Sequence, residues 1–372
     1  MNTIIHATEP AELLGIVPAL AGFTPRRSIV MLPFHGTRAH GAMRMDLPDA
    51  DADTEEFANA AVHALLQVRG IDAAAIVVYT DEPAQTVPDG VLLPRLTVVE
   101  MLVDVIEQAG LHLVDALCVT PGGWADYGEE YPIVRPLADI PSLPDLPGIG
   151  SVTGDQTAGA ELPPGDLVQR ERVGRALQEL EELLAGHRPG RIAAGPGESP
   201  LALVRASMIL DDLPGFVERI TGSPGDLSPD DCAALLWCLN RPALRDAVIV
   251  QWATDHEFGC LALQAQLEFA GNHDEIPDAV GRVFLGRGPR PDPDRLGCAL
   301  EVARRAASLA PRPAKAGALT AAAWLAWAMG RSSHAGQYID QALEIEPEHG
   351  MASLISSMLS AAMLPEWVLR RA

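Results

Sequence analysis

The chain has 372 residues, 48% hydrophobic and 21% charged, with a formal net charge of −23 and a pI near 4.7. That length suggests two domains with apolar surface enough for a sizeable core, which excludes global disorder. The acidic excess repels phosphate backbones and anionic headgroups, so neither nucleic acid nor a membrane is an expected partner.

The basic residues are lopsided. Lys315, in APRPAKAG, is the single lysine among 27 Lys and Arg. No G-x-x-x-x-G-K-[ST] exists, so a P-loop is excluded, and Schiff-base chemistry would rest on a lysine without a motif. The five cysteines, Cys118, Cys232, Cys238, Cys260 and Cys298, have no C-x-x-C spacing and no even framework. That predicts reduced thiols in a cytoplasmic protein. The N-terminus MNTIIHATEPAELLG has no basic n-region or long apolar stretch, so no signal peptide is expected. No run reaches the roughly 18 apolar residues that span a bilayer.

In chain order, Thr8 and Pro10 open a first helix, which Pro18 is expected to bend or split and Gly22 to stop. Ser28–Phe34 is apolar on both faces and reads as a buried strand. In Gly41–Leu47, Met43, Met45 and Leu47 share one face, while Ala42, Arg44 and Asp46 share the other. HGTRAH between them predicts a hairpin. Asp53 with Glu56 resembles a capping box for a helix carrying Phe57, Ala61, Leu65 and Val68, ended by Gly70. Ala73–Tyr79 is a buried strand. Thr97 with Glu100 forms a second capping-box pattern before Val99, Leu102, Ile106 and Ala109. Leu111–Val119 is a strand, followed by the glycine turn of PGGWADY. This alternation predicts one sheet covered by helices. Residues 136–165, rich in Pro and Gly, read as a linker or a long ordered loop. From there the pattern is helical. Val173, Leu177, Leu180 and Leu184 share one face, and Ser228 with Asp231 starts another helix. Ala299, Ala306 and Pro311 recur as Ala335, Ala342 and Pro347, the spacing of a tetratricopeptide repeat without its large aromatic.

Five features are candidates for chemistry. His35, Arg38 and His40 sit together but lack further ligands at recognisable spacing, so a turn outweighs a metal site. HDE at 273–275 likewise has no matching histidine. Asp49, Asp51 and Asp53 mimic a calcium loop, but Thr54 and Ala60 replace its glycine and bidentate glutamate, so helix capping outweighs calcium. GIGSVTG at 148–154 follows no strand, which makes it a loop rather than a dinucleotide fingerprint. No metal and no cofactor is expected. Ligands of open α/β sheets gather at carboxyl ends of strands. Tyr79, Asp81, Trp124, Asp126 and Tyr127, completed by Arg44 and Asp46, therefore form the candidate ligand pocket, against a reading of edge packing and turn capping. Trp324, Trp327 and Tyr338 are candidates for a partner groove on the helical repeats, against core packing.

Several segments resemble an actinobacterial family catalogued only as a domain of unknown function. They are ELLGIVPALAGFTPRRSIVML, MRMDLP, VVYTD, VDALCVTPGGWADY, RDAV at Arg245 and AAAWLAWAMGRSSHAGQYIDQALEIEP. In that family the segment matching GGWADY is followed by Cys-Pro. Here Glu129–Pro132 has no cysteine, so no thiol role carries over. The resemblance implies a cytosolic protein and brings no activity or catalytic residue.

The expected architecture is an α/β (or α+β) N-terminal domain with a mixed sheet over 1–135, the segment 136–165, and an all-α C-terminal domain over 166–372 ending in tetratricopeptide-like hairpins. The expected function is protein binding or scaffolding through the helical half, with an unidentified protein partner. An enzyme or small-molecule sensor using the strand-end pocket is the alternative, and a structural subunit of a larger assembly is the third.

Overall fold

The computed structural model describes residues 7, 9–39, 41–88, 90–142, 152, 154–186, 200–272 and 275–369. The chain divides into two compact units, Met1–Gly159 and Ala160–Ala372. The division falls inside the Pro- and Gly-rich segment. Thr8, His40, His273 and most of GIGSVTG lie outside the described residues.

The first unit runs α1 (Pro10–Ala21), β1 (Ser28–His35), β2 (Arg38–Ala39), β3 (Met43–Asp46), α2 (Thr54–Leu66), β4 (Ala73–Tyr79), β5 (Gln85–Val87), β6 (Gly90–Leu92), α3 (Leu96–Gln108), β7 (His112–Thr120) and β8 (Gly123–Asp126). Six strands form one sheet in the order β2-β1-β4-β7-β8, with β3 also on β1. β4 and β7, joined through α3, are parallel, and the tight connection β7–β8 is antiparallel. Short turns permit only antiparallel pairing, whereas a parallel pair needs a crossover. That makes the sheet mixed.

The sheet is covered on both faces, which is why β1 and β4 carry no polar alternation. On one face Ile29, Met31, Ile76 and Val78 pack against Ala58, Val62 and Leu65 of α2 and Val99, Leu102 and Ile106 of α3. On the other, Val30, Leu32, Val77 and Leu117 pack under Leu13, Leu14 and Val17 of α1. Met43, Met45 and Leu47 join the first face and Ala42 the second, as the alternation in the sequence requires.

The helix ends show where local signals hold. Asp53 accepts from the Glu55 and Glu56 amides at 2.9 and 3.0 Å. By contrast, Thr97 does not start α3. The helix begins at Leu96, and its N-cap Arg95 is left-handed at φ 62° without a side-chain cap. Tertiary anchoring holds that conformation, because the Arg95 guanidinium donates to Pro48 O at 3.0 Å and to Glu82 Oε1 at 2.6 Å. Nor does Pro18 split α1. The helix continues to Ala21, and Gly22, at φ 83°, closes it by donating to Pro18 O. Buried Leu13, Leu14 and Val17 before the proline and partly buried Leu20 after it pack in one cluster, which keeps the helix whole.

The described parts of 136–165 are built into the fold. Ile140 packs with the α1 cluster. Thr24 bridges to Asp155, and the Gln156 amide exchanges hydrogen bonds with the Arg26 backbone at 2.9 and 3.0 Å. Ala160 is fully buried in the second unit.

The second unit is helical: α4 (Leu167–Gly186), α5 (Pro200–Asp211), α6 (Leu213–Thr221), α7 (Pro229–Leu239), α8 (Pro242–Ala253), α9 (His256–Asn272), α10 (Asp278–Phe284), α11 (Pro293–Leu309), α12 (Lys315–Ala328), α13 (Ser332–Ile345), α14 (Gly350–Ser360) and α15 (Glu366–Leu369). Ser228 caps α7 through the Asp231 amide. Helix α12 is the axis of the unit. Every residue from Ala316 to Ala328 is buried, as befits a helix apolar all round. It packs between α11 and α13. The repeated alanines Ala299, Ala306, Ala335 and Ala342 are all fully buried, which lets these helices approach closely.

His349 caps α14, its Nδ1 accepting from the Ala352 amide at 3.2 Å. Burial pushes its pKa below the ordinary value of 6.5, and Arg245 lowers it further, while Glu346 and Asp246 act the other way. The folded state thus resists a proton that the unfolded chain accepts near pH 6.5, so stability falls as pH drops through that value. The variant His349→Asn, which can still cap, is expected to flatten stability against pH between about 7 and 5. An unchanged slope in pH-dependent denaturation would assign it to other groups.

Candidate functional site

The strand-end candidates fall on two rows of the sheet. Register places Asp46, Ser28, Tyr79, Val119 and Trp124 side by side, and Arg44, Val30, Val77, Leu117 and Asp126 on the next row. Paired residues share a face, so Arg44, Asp46, Tyr79, Trp124 and Asp126 all lie on the α1 side. Tyr127 turns to the opposite face, and its hydroxyl donates to Pro94 O at 2.6 Å. Asp81 lies beyond the strand end, exposed.

The neighbours on the α1 face are engaged within the fold. Arg44 Nε donates to Ser28 Oγ at 2.7 Å, and its terminal nitrogens donate to both oxygens of Asp46. The Arg44 side chain is 9% exposed and that of Asp46 is 82% exposed. Tyr79 is buried in the α1 cluster, which pushes its phenol well above the ordinary value of 10. The Trp124 ring lies under the Arg135 guanidinium, 5.0 Å from the ring centroid, and their backbones exchange two hydrogen bonds. Arg135 is in turn paired with Glu129. Asp126 Oδ1 accepts from the Gly128 amide at 2.8 Å. Gly123, at φ 150°, permits this closure, since a Cβ there would stand 2.2 Å from Arg135 O. The chain brings these neighbours onto one face, where α1 and Ile140 pack with Tyr79 and Trp124 and Arg135 lies over Trp124, while Asp46 stays exposed.

Three of the five thiols are buried and offer little reactivity. Burial raises Cys118 to about 11 and both Cys232 and Cys238 to about 12, leaving them protonated at neutral pH. All five cysteines are free. Among the described residues no group of three or more His, Cys, Asp or Glu is placed to hold a metal. The His35 ring hydrogen-bonds Gly70 O and belongs to the β1–β2 turn.

The helical candidates are core residues. Trp324, Trp327 and Tyr338 are at most 1% exposed, so they present no surface groove. Trp324 Nε1 donates to Phe284 O at 3.2 Å, and Trp327 Nε1 donates to Met363 O at 2.7 Å.

A different surface stands out. Helices α5, α6 and α9 enclose an open groove of about 560 Å³, lined by Leu210, Leu213, Pro214, Leu263 and Leu267 with Asp211, Asp212 and Glu268 beside them. Leu210 is 50% exposed and Leu267 is 54% exposed. Leu201 and Val204 on α5, and Leu261 and Phe269 on α9, are also exposed, on other faces of the same helices. Helix α9 buries Ala262, Ala265 and Gln266 on its core side. Its second stripe, Cys260, Leu263, Gln264 and Leu267, faces the groove at i, i+3, i+4, i+7 spacing. The sequence signal for this surface is that second stripe, one more than a helix packed on a single side needs.

An α/β sheet joined to a many-helix half defines the class of fold. The model of the family described as Domain of unknown function (DUF4192) matches residues 10–268 and 290–366. The chain belongs to that family. No curated protein and no solved structure matches it significantly. No helix among the described residues is long and apolar enough to cross a membrane.

Proposed function

We propose that the protein is a non-enzymatic binding or scaffold protein of the cytoplasm whose helical half, tetratricopeptide-like at its end, takes a protein partner. The groove of α5, α6 and α9 receives from that partner an amphipathic helix with basic flanks. The observation that carries this reading is the combination of exposed Leu210 and Leu267 with the carboxylates of Asp211, Asp212 and Glu268 at one groove. Exposed leucines gathered at one groove favour a binding role over bare solvation. A helix laid in the groove buries anchors at i, i+3, i+4 and i+7, and the acidic rim selects lysine and arginine beside them. The acidity of the whole chain speeds the approach of such a basic partner.

The test is selection of a displayed random-peptide library on the full chain, beside the variant Leu210→Asp/Leu267→Asp. Both positions are about half exposed, so this variant keeps the fold. The reading predicts enriched peptides with helical apolar spacing and basic flanks, binding at least tenfold more weakly to the variant. Peptides that bind both proteins equally, or no enrichment at all, would refute it. Self-association abolished by the same substitutions would assign the groove to a second copy of the chain and refute the heterologous partner.

A further inference from the structure

We propose that Lys315 is an acylation site, modified by acyl phosphates that Arg170 and Arg312 hold beside its amine. Lys315 is the single lysine of the chain, so amine chemistry has one side-chain target. It opens α12 directly after the 3-10 turn Arg312–Ala314. Arg312 and Lys315 are three residues apart in this continuous turn, which puts them on one face. A side chain at a helix start leans back over the preceding turn, and so toward Arg312. Arg170 of α4 reaches the same connection, its Nε donating to Ser308 O at 3.0 Å near the end of α11. Three cations therefore meet at one corner of a chain of net charge −23. Arg312 pairs with Glu344 at 3.3 Å, but both side chains are about two-thirds exposed, so that pair is weak and readily exchanged. Among the described residues no hydrogen bond or ion pair holds the Lys315 amine.

The surroundings suit this chemistry. Lys315 is half-buried, so its amine stays within reach of solvent while losing part of its hydration. Burial lowers its pKa from the ordinary 10.5, and Arg170 and Arg312 lower it further. The positive end of a 14-residue helix acts in the same direction. Each effect raises the share of neutral amine, the nucleophilic form. In an acyl phosphate the phosphoryl group is one oxygen away from the carbonyl carbon. Guanidinium groups beside the amine therefore bind the phosphoryl end and bring the carbonyl to the nitrogen. The amine lone pair forms the N–C bond. The C–O bond to the phosphoryl group breaks with its electron pair, and inorganic phosphate leaves carrying the proton that the nitrogen sheds. In a thioester of a long carrier the charged groups lie far from the carbonyl, so the same arginines do not place it. The amide product carries no charge, which relieves the repulsion among the three cations.

The site uses no residue of the groove and is independent of it. The full chain is incubated with acetyl phosphate, and acetylation of Lys315 is followed by peptide mass mapping. Arg175→Lys supplies a reference amine in the same molecule, because Arg175 is exposed on α4 and ion-paired to Glu171 at 2.7 Å. The inference predicts that Lys315 is acetylated about fivefold faster than the reference, and that inorganic phosphate at constant ionic strength slows it. Arg170→Gln and Arg312→Gln, both at exposed positions, are each expected to slow it about threefold. N-hydroxysuccinimidyl acetate, an ester without a phosphoryl group, separates holding the reagent from activating the amine. The two arginine variants are expected to lose less rate with this ester than with acetyl phosphate. Lys315 reacting no faster than the reference, or equal losses with both reagents, would overturn the proposal. Equal acetyl phosphate rates in the wild type and both arginine variants would do so as well.

Discussion

Trp252→Ala is expected to destabilise the helical unit by about 3–5 kcal/mol, the range for emptying a large aromatic from a closed core. Trp252 is 0% exposed on α8. Its indole donates to Thr221 Oγ at 2.9 Å, and that hydroxyl donates to Val217 O at 2.7 Å. Truncation leaves both a cavity and a hydroxyl that loses its donor. Trp252→Phe separates the two effects. It keeps most of the volume, and Thr221 retains its own bond to α6, so a loss of about 1–2 kcal/mol is expected. Denaturant titration of the two variants decides it. A cost below about 1 kcal/mol for the alanine variant would mean that the α6–α8 contact is not closed as described.

Gly317→Ala has the opposite sign from the one helix propensity assigns. Alanine in a helix interior is favoured over glycine by about 1 kcal/mol. At Gly317, however, a Cβ would stand 2.3 Å from Leu239 O and 2.7 Å from Leu239 C, where α12 crosses the end of α7. These are backbone atoms, and the crossing is fixed by Asn240, whose amide donates to Leu236 O at 2.7 Å and to Ala314 O at 2.9 Å. The helices must move apart, so Gly317→Ala is expected to cost about 1–3 kcal/mol. Gly336, inside α13, has nothing within 4 Å of a Cβ. The same change there is expected to stabilise by about 0.5–1 kcal/mol. If both variants raise the unfolding midpoint, propensity governs and the close crossing is refuted.

The parts of the fold legible in the sequence are those fixed by local patterns. The two-faced apolarity of Ser28–Phe34 and Ala73–Tyr79 announces strands covered on both sides. The alternation through Met43 and Met45 sets which residues face α1. Asp53 and Ser228 mark true helix starts. Thr97 misleads because the start of α3 is decided by Arg95, whose left-handed backbone is held by Pro48 and Glu82, distant in sequence.

Site residues were harder to read. Register brings Arg44, Asp46, Tyr79, Trp124 and Asp126 onto one face. A sequence cannot show that α1 packs on Tyr79 and Trp124 or that Arg135 lies over the Trp124 ring. Trp324 and Trp327 lie on a helix without a polar face, which makes them core. The groove was hidden for the converse reason. In α5 and α9 exposed and buried apolar residues alternate so closely that composition alone reads as one core, and only packing separates Ala262 from Leu267.

The central claim is that the α5–α6–α9 groove is the working surface of the helical half. It is tested most directly by hydrogen exchange of the full chain with and without a saturating basic amphipathic peptide from the library selection. The account predicts added protection concentrated in residues 201–214 and 258–269, absent in Leu210→Asp/Leu267→Asp. Protection elsewhere in the chain with those two segments unchanged would contradict it.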